Sequence, residues 1–172
     1  MTKSNRITPR RPNEGITVAQ TAVTYAFAAV LRALVGCIAA ERPLQRGVAD
    51  IFDPTFDLAL AEAEKARDVL LASLAAVISL PEERSADRQL RLMAMALKTL
   101  LSVECDEDRI YLASTLMENT HLLEVNGTHP SARAVRRLQQ KFVRNCAVLM
   151  SMQDFGGPGP DDDGACGPSL AA

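Results

Sequence analysis

Glu118 and His121 stand three residues apart, an E-x-x-H spacing that on a helix puts a carboxylate and an imidazole on one face. Di-iron four-helix bundles use this spacing twice, together with two further glutamates, because each metal takes oxygen and nitrogen ligands from facing helices. Here the second copy is missing. The only other histidine, His129, precedes Pro130 in a turn sequence. Glu118 and His121 are therefore at best an incomplete metal site, and the expectation is a solvated pair with no bound cofactor. His121 is also the one imidazole placed on a helix for phosphotransfer. The residues after it are Leu122-Leu123, not the Lys-Gly that lets a partner's aspartyl-phosphate approach.

Other chemical signals are fragmentary. Asp154-Phe155-Gly156 has the letters of a kinase metal-binding triplet, but no glycine-rich loop or catalytic loop accompanies it. There is no G-x-S-x-G nucleophile elbow and no phosphate-cradling glycine loop. Cys37, Cys105, Cys146 and Cys166 are widely spaced with no C-x-x-C pair, which predicts free thiols and a reducing compartment.

Charge carries more. Arg133, Arg136, Arg137, Lys141 and Arg144 follow one another with no acid between Ser131 and Gln153, and four of them, Arg133, Arg137, Lys141 and Arg144, share a helix flank opposite an apolar seam. With the basic lead Lys3, Arg6, Arg10 and Arg11, this stripe suits an acidic protein partner or nucleic-acid phosphates. No base-stacking aromatic accompanies it, which favours protein over nucleic acid. A plainer expectation is internal. Glu104, Asp106, Glu107, Asp108, Glu118 and Glu124 lie along the preceding helix against Arg109 alone, so adjacent acidic and basic helices would neutralise one another.

The elements that must hold these residues are all helical. Residues 1–15 contain prolines, a glycine and mostly polar side chains, and predict a mobile basic arm. From Ile16, the residues Ala19, Val23, Phe27, Val30, Leu34 and Ile38 recur every three to four positions, with Thr17, Thr21, Thr24, Ala28 and Arg32 on the opposite side; Pro43 should stop this helix. Asp53-Pro54 reads as an N-cap followed by proline at the first helical position, opening a helix to about Ser79 with Phe56, Leu60, Ala63, Leu70, Leu74 and Val77 inward. A third helix opens at Pro81 or Ser85 and buries Leu90, Met93, Leu97, Leu100 and Leu101.

After a break near Cys105, a fourth helix spans about 106–125, its core contacts being Ile110, Ala113, Leu116, Met117 and Leu123. Acids at its start complement the positive helix pole. A fifth, capped by Thr128 or Ser131, buries Val135, Leu138, Phe142, Cys146 and Leu149 and ends near Gln153. The Gly/Pro/Asp segment 155–172 should be a disordered tail. No strand-like alternation occurs, so the fold class is all-α: an up-down antiparallel bundle of about five helices over residues 16–154.

A chain of 172 residues with 48% hydrophobic and 4% aromatic residues and no Trp must fill its core with small and branched aliphatics. The net charge of −2 supplies no global pull toward nucleic acid or anionic lipid. Residues 16–40 are apolar enough to raise an export signal or membrane span, and Leu34-Val35-Gly36-Cys37 looks like a lipoprotein cleavage box. Arg32 and the polar stripe argue against both, and no membrane partner is expected. The functional expectation is a cytoplasmic, non-catalytic protein acting through protein contacts, as a small regulator, adaptor or assembly factor and a possible homo-oligomer. A nucleic-acid-associated regulator and a helical metalloenzyme are the alternatives.

Overall fold

The computed structural model describes residues 20–45, 54–125 and 128–152. They form five α-helices: α1 (Ala22–Gln45), α2 (Pro54–Ser79), α3 (Ser85–Ser102), α4 (Asp106–Glu118) and α5 (Pro130–Met150), with a short 3-10 turn (Thr120–Leu123) between the last two. Among the described residues there is no strand. The arm, the tail, Asp53, and the start of the first helix at Ile16 lie outside the described residues.

Helix α1 is the hub, packing against α2, α3 and α5. Its buried positions are Val23, Phe27, Val30, Leu31, Leu34, Cys37 and Ile38, the inward face that the three-to-four spacing demands. Helix α2 returns antiparallel along it, so that Arg67 in mid-α2 meets Glu41 near the end of α1. A five-residue connection, 80–84, then turns the chain into α3. Helix α4 folds back along the outside of α3, where Leu100 shares a small apolar groove with Leu112 and Leu116. Helix α5 closes the core, and the rings of Phe27 and Phe142 meet with centroids 5.6 Å apart.

The apolar centre is continuous: Leu70, Leu74 and Val77 of α2, Leu90, Met93, Leu97 and Leu100 of α3, and Val135, Phe142, Cys146 and Leu149 of α5 all join the α1 seam. Full burial of each such side chain contributes on the order of 1.5–3 kcal/mol. The bundle therefore owes its cohesion to these four stripes. Helix α4 contributes only Ala113 as a fully buried residue.

Several local expectations are corrected. Pro43 does not stop α1, which runs to Gln45. The amide that proline lacks would have bonded the carbonyl of Ala39, an exposed residue whose oxygen water can satisfy, so a proline this close to the terminus is tolerated. Thr21, assigned to the polar side of α1, is buried, while Phe56 is only half-buried and Leu60 is exposed because α2 overhangs the core at its start. The fourth helix stops at Glu118 instead of reaching residue 125, and Ile110 is exposed. Neither Thr128 nor Ser131 caps α5. His129 does so, its Nδ1 accepting the Ser131 amide at 3.3 Å, with Pro130 in the first turn.

Three buried polar side chains escaped the periodicity. Asp87 accepts hydrogen bonds from Thr21 Oγ1 (2.7 Å) and from the amides of Glu83 and Arg84 (3.0 Å each), so one carboxylate ties the start of α1 to the start of α3 and satisfies donors that a helix N-terminus leaves open. Glu41, buried, pairs with Arg67 at 2.7 Å. Gln139 donates from Nε2 to the Leu123 carbonyl and thereby fastens the 3-10 turn onto α5.

Candidate partner-binding surface

Helix α5 positions the basic stripe. Its buried residues, Ala132, Val135, Gln139, Phe142, Cys146 and Leu149, occupy one side. A turn of 100° per residue places Arg133, Arg137, Lys141 and Arg144 on the other, and all four are exposed. Packing of the inner face thus holds the outer face as a ridge roughly 17 Å long, at 1.5 Å rise per residue.

The acids of α4 do not neutralise this ridge. Ion pairs among the described residues join Arg67 to Glu41, Arg91 to Glu82 and Arg109 to Asp106, and none of these involves Arg133, Arg137, Lys141 or Arg144. Glu104, Asp106, Glu107 and Asp108 are exposed at the beginning of α4. Asp106 Oδ1 receives Arg109 Nη1 at 2.9 Å within its own helix, while Arg109 Nη2 donates to the Val103 carbonyl. This cluster is used locally, against the positive pole of α4.

A groove lies on each side of the α5 ridge. Toward α1, a groove of about 510 Å³ is lined by Leu31, Arg32, Val35, Lys141, Arg144 and Asn145 among others, and includes no acid. Arg32, which sequence reasoning used only as an argument against membrane insertion, is thereby part of the cationic surface; its helical phase relative to α5 depends on the packing and carries no sequence signal. Toward the 3-10 turn, a second groove of about 560 Å³ brings Arg136, Gln140 and Arg144 near Glu124. Arg144 lines both grooves.

The chemically suggestive histidines resolve otherwise. Because α4 ends at Glu118, His121 sits on the 3-10 turn beyond it, and its Nδ1 lies 3.2 Å from the Glu118 backbone carbonyl, not its carboxylate. Both side chains are exposed, and among the described residues no three His, Cys, Asp or Glu groups come together to hold a metal ion. His129 Nδ1 lies 2.7 Å from Ser131 Oγ, a distance at which a base could activate a hydroxyl. The same nitrogen accepts the Ser131 amide, which makes the contact a helix cap.

Two thiols are sealed in. Burial, then the Glu41 carboxylate, pushes Cys37 up to about 11 against the opposing effect of Arg67, and burial pushes Cys146 up to about 12. Both stay protonated at neutral pH and behave as small core residues. Cys105 is exposed.

No protein-family model, curated protein or solved structure matches the chain.

Proposed function

We propose that this chain is a non-catalytic helical-bundle protein of the cytoplasm that works through protein contacts, as a small regulator, adaptor or assembly factor, and that it grips an acidic protein partner on α5. The supporting observation is the ridge: Arg133, Arg137, Lys141 and Arg144 stand exposed and without an ion pair among the described residues, in a chain whose net charge is −2. Cations so arranged attract an oppositely charged surface over about a Debye length and set the register of docking. Guanidinium groups suit carboxylates in particular, since the planar fork matches both oxygens. The flanking grooves add apolar walls, Val35 and Leu138 on one side and Val143 on the other, against which a partner's side chains can be desolvated.

The test compares the wild-type chain with an Arg133→Glu/Arg137→Glu/Lys141→Glu variant. The probes are an acidic helical peptide and a DNA duplex, each titrated at low and at physiological salt. The reading requires peptide binding that weakens with salt and falls at least tenfold in the variant, which corresponds to about 1.4 kcal/mol. Binding of the duplex in preference to the peptide would transfer the ridge to nucleic acid, and binding of neither at low salt would remove the assignment.

A further inference from the structure

On its flank beside α2, the most apolar helix is left half-dressed. Over an 18-residue window α1 has a mean hydropathy of 1.9, yet only 39% of that window is buried. Its outer flank meets the outer flank of α2 in a groove of about 1030 Å³ floored by small residues, Ala29, Ala33, Gly36 and Ala66 among them. Larger apolar side chains stand on the same flank: Val69 is 51% exposed, Tyr25 69% and Leu58 71%. Exposed apolar side chains gathered on one flank beside a groove of small residues offer a surface on which another chain can dock.

Gly36 adds a separate observation. A glycine inside a helix costs about 1 kcal/mol relative to alanine. A Cβ added at Gly36 would meet nothing within 4 Å, so the packing of the chain itself does not require the glycine. Its absent side chain instead leaves the groove open to close approach by another helix.

The charges in the groove indicate what covers it. Arg32, Glu62 and Lys65 line it, all are exposed, and among the described residues none takes part in an ion pair. A bilayer or a wholly apolar partner would strip water from these charges without answering them. A second copy answers them. Helices α1 and α2 are antiparallel with Arg67 opposite Glu41, so Arg32 and Glu62 sit on opposite walls and are offset along the groove by roughly 20 Å at 1.5 Å per residue. A two-fold axis crossing the groove between Gly36 and Ala40 exchanges the two positions, so that Arg32 of each copy meets Glu62 of the other and the small residues face one another at the centre. Lys65 lies one turn from Glu62, where its flexible stem reaches water at the rim. We infer that the α1–α2 face is an isologous dimer interface, closed by the same face of a second copy of this chain.

Arg32 lies between this groove and the one beside α5, so Gly36 and Glu62, which line only the α1–α2 groove, are the positions that separate this inference from the α5 reading. The test is the mass of the full chain in solution, by light scattering and sedimentation at about 0.1 mM, where a micromolar dimer is assembled. The wild type should be a dimer and Gly36→Glu a monomer. The helical circular dichroism and melting of that variant should be retained, because the added side chain has open space and the helix loses a glycine. Arg32→Glu and Glu62→Arg should each weaken the dimer at least tenfold, and the two together in one chain should restore it. A monomeric wild type, a Gly36→Glu dimer, or a double exchange no tighter than either single variant would overturn the inference.

Discussion

Where α1 and α3 begin, Asp87 is buried and its oxygens accept a hydroxyl and two amides; along α5, Arg133, Arg137, Lys141 and Arg144 stand in water with no ion pair among the described residues. Both regions are charged, but they use charge for different ends. A buried carboxylate persists in a fold only if its lone pairs are satisfied, since an unanswered one would lose several kcal/mol of solvation. Asp87 is therefore part of the architecture. An exposed cation incurs no such cost, so the α5 row is not held in place by burial as Asp87 is, and it stays open to the partner proposed above. The α4 acids fall between the two, exposed yet answered by a helix pole and by Arg109.

The sharpest way to break the contrast is to remove the buried carboxylate. Asp87→Ala should lower stability by about 2–3 kcal/mol, the sum of a lost helix cap and of donors left without acceptors. Urea denaturation followed by circular dichroism measures this directly. A midpoint equal to wild type would mean that Asp87 is no more structural than the α5 arginines. Asp87→Asn should lie between the two, because an amide oxygen can still accept from part of the same set.

A smaller loss is expected at the other end of α1. Arg67→Ala leaves Glu41 buried and unpaired, but 42% of the Arg67 side chain is already in water, so the cost should be about 2 kcal/mol and below that of breaking a fully enclosed pair. Adding Glu41→Gln to that variant should recover part of the loss by discharging the stranded carboxylate. Failure to recover any would show that Arg67 stabilises the α1–α2 contact through its aliphatic stem and not through its charge.

The same division explains what could be read from residue order alone. Apolar spacing located all five helices and most of the core, including Val23, Phe27, Leu70, Leu74, Leu90, Leu97 and Phe142, because burial of a stripe is a property of one helix at a time. It overstated Leu60 and Ile110, which carry the right phase but lie where α2 and α4 overhang their neighbours. It missed Asp87, Glu41 and Gln139, since their partners lie on other elements, 66, 26 and 16 residues away. The basic row of α5 was visible as a pattern. Whether it was paired was not, because that depended on how α4 was oriented.

The smallest expected effect carries the most weight for function. On α5, Arg137 lies one turn from both Arg133 and Lys141, and like charges at that spacing repel by about 0.2–0.5 kcal/mol per pair. Arg137→Glu turns both repulsions into attractions, with Glu preceding Lys141 in the favourable order. Stability should therefore hold or rise by about 0.5 kcal/mol, while affinity for an acidic partner falls. A side chain engaged in an internal ion pair would behave in the opposite way, since its reversal would place like charges in contact and lower the melting temperature. A destabilised Arg137→Glu variant would thus return the ridge to the architecture, alongside Asp87. A variant as stable as wild type but weakened in binding would separate the two uses of charge within a single helix.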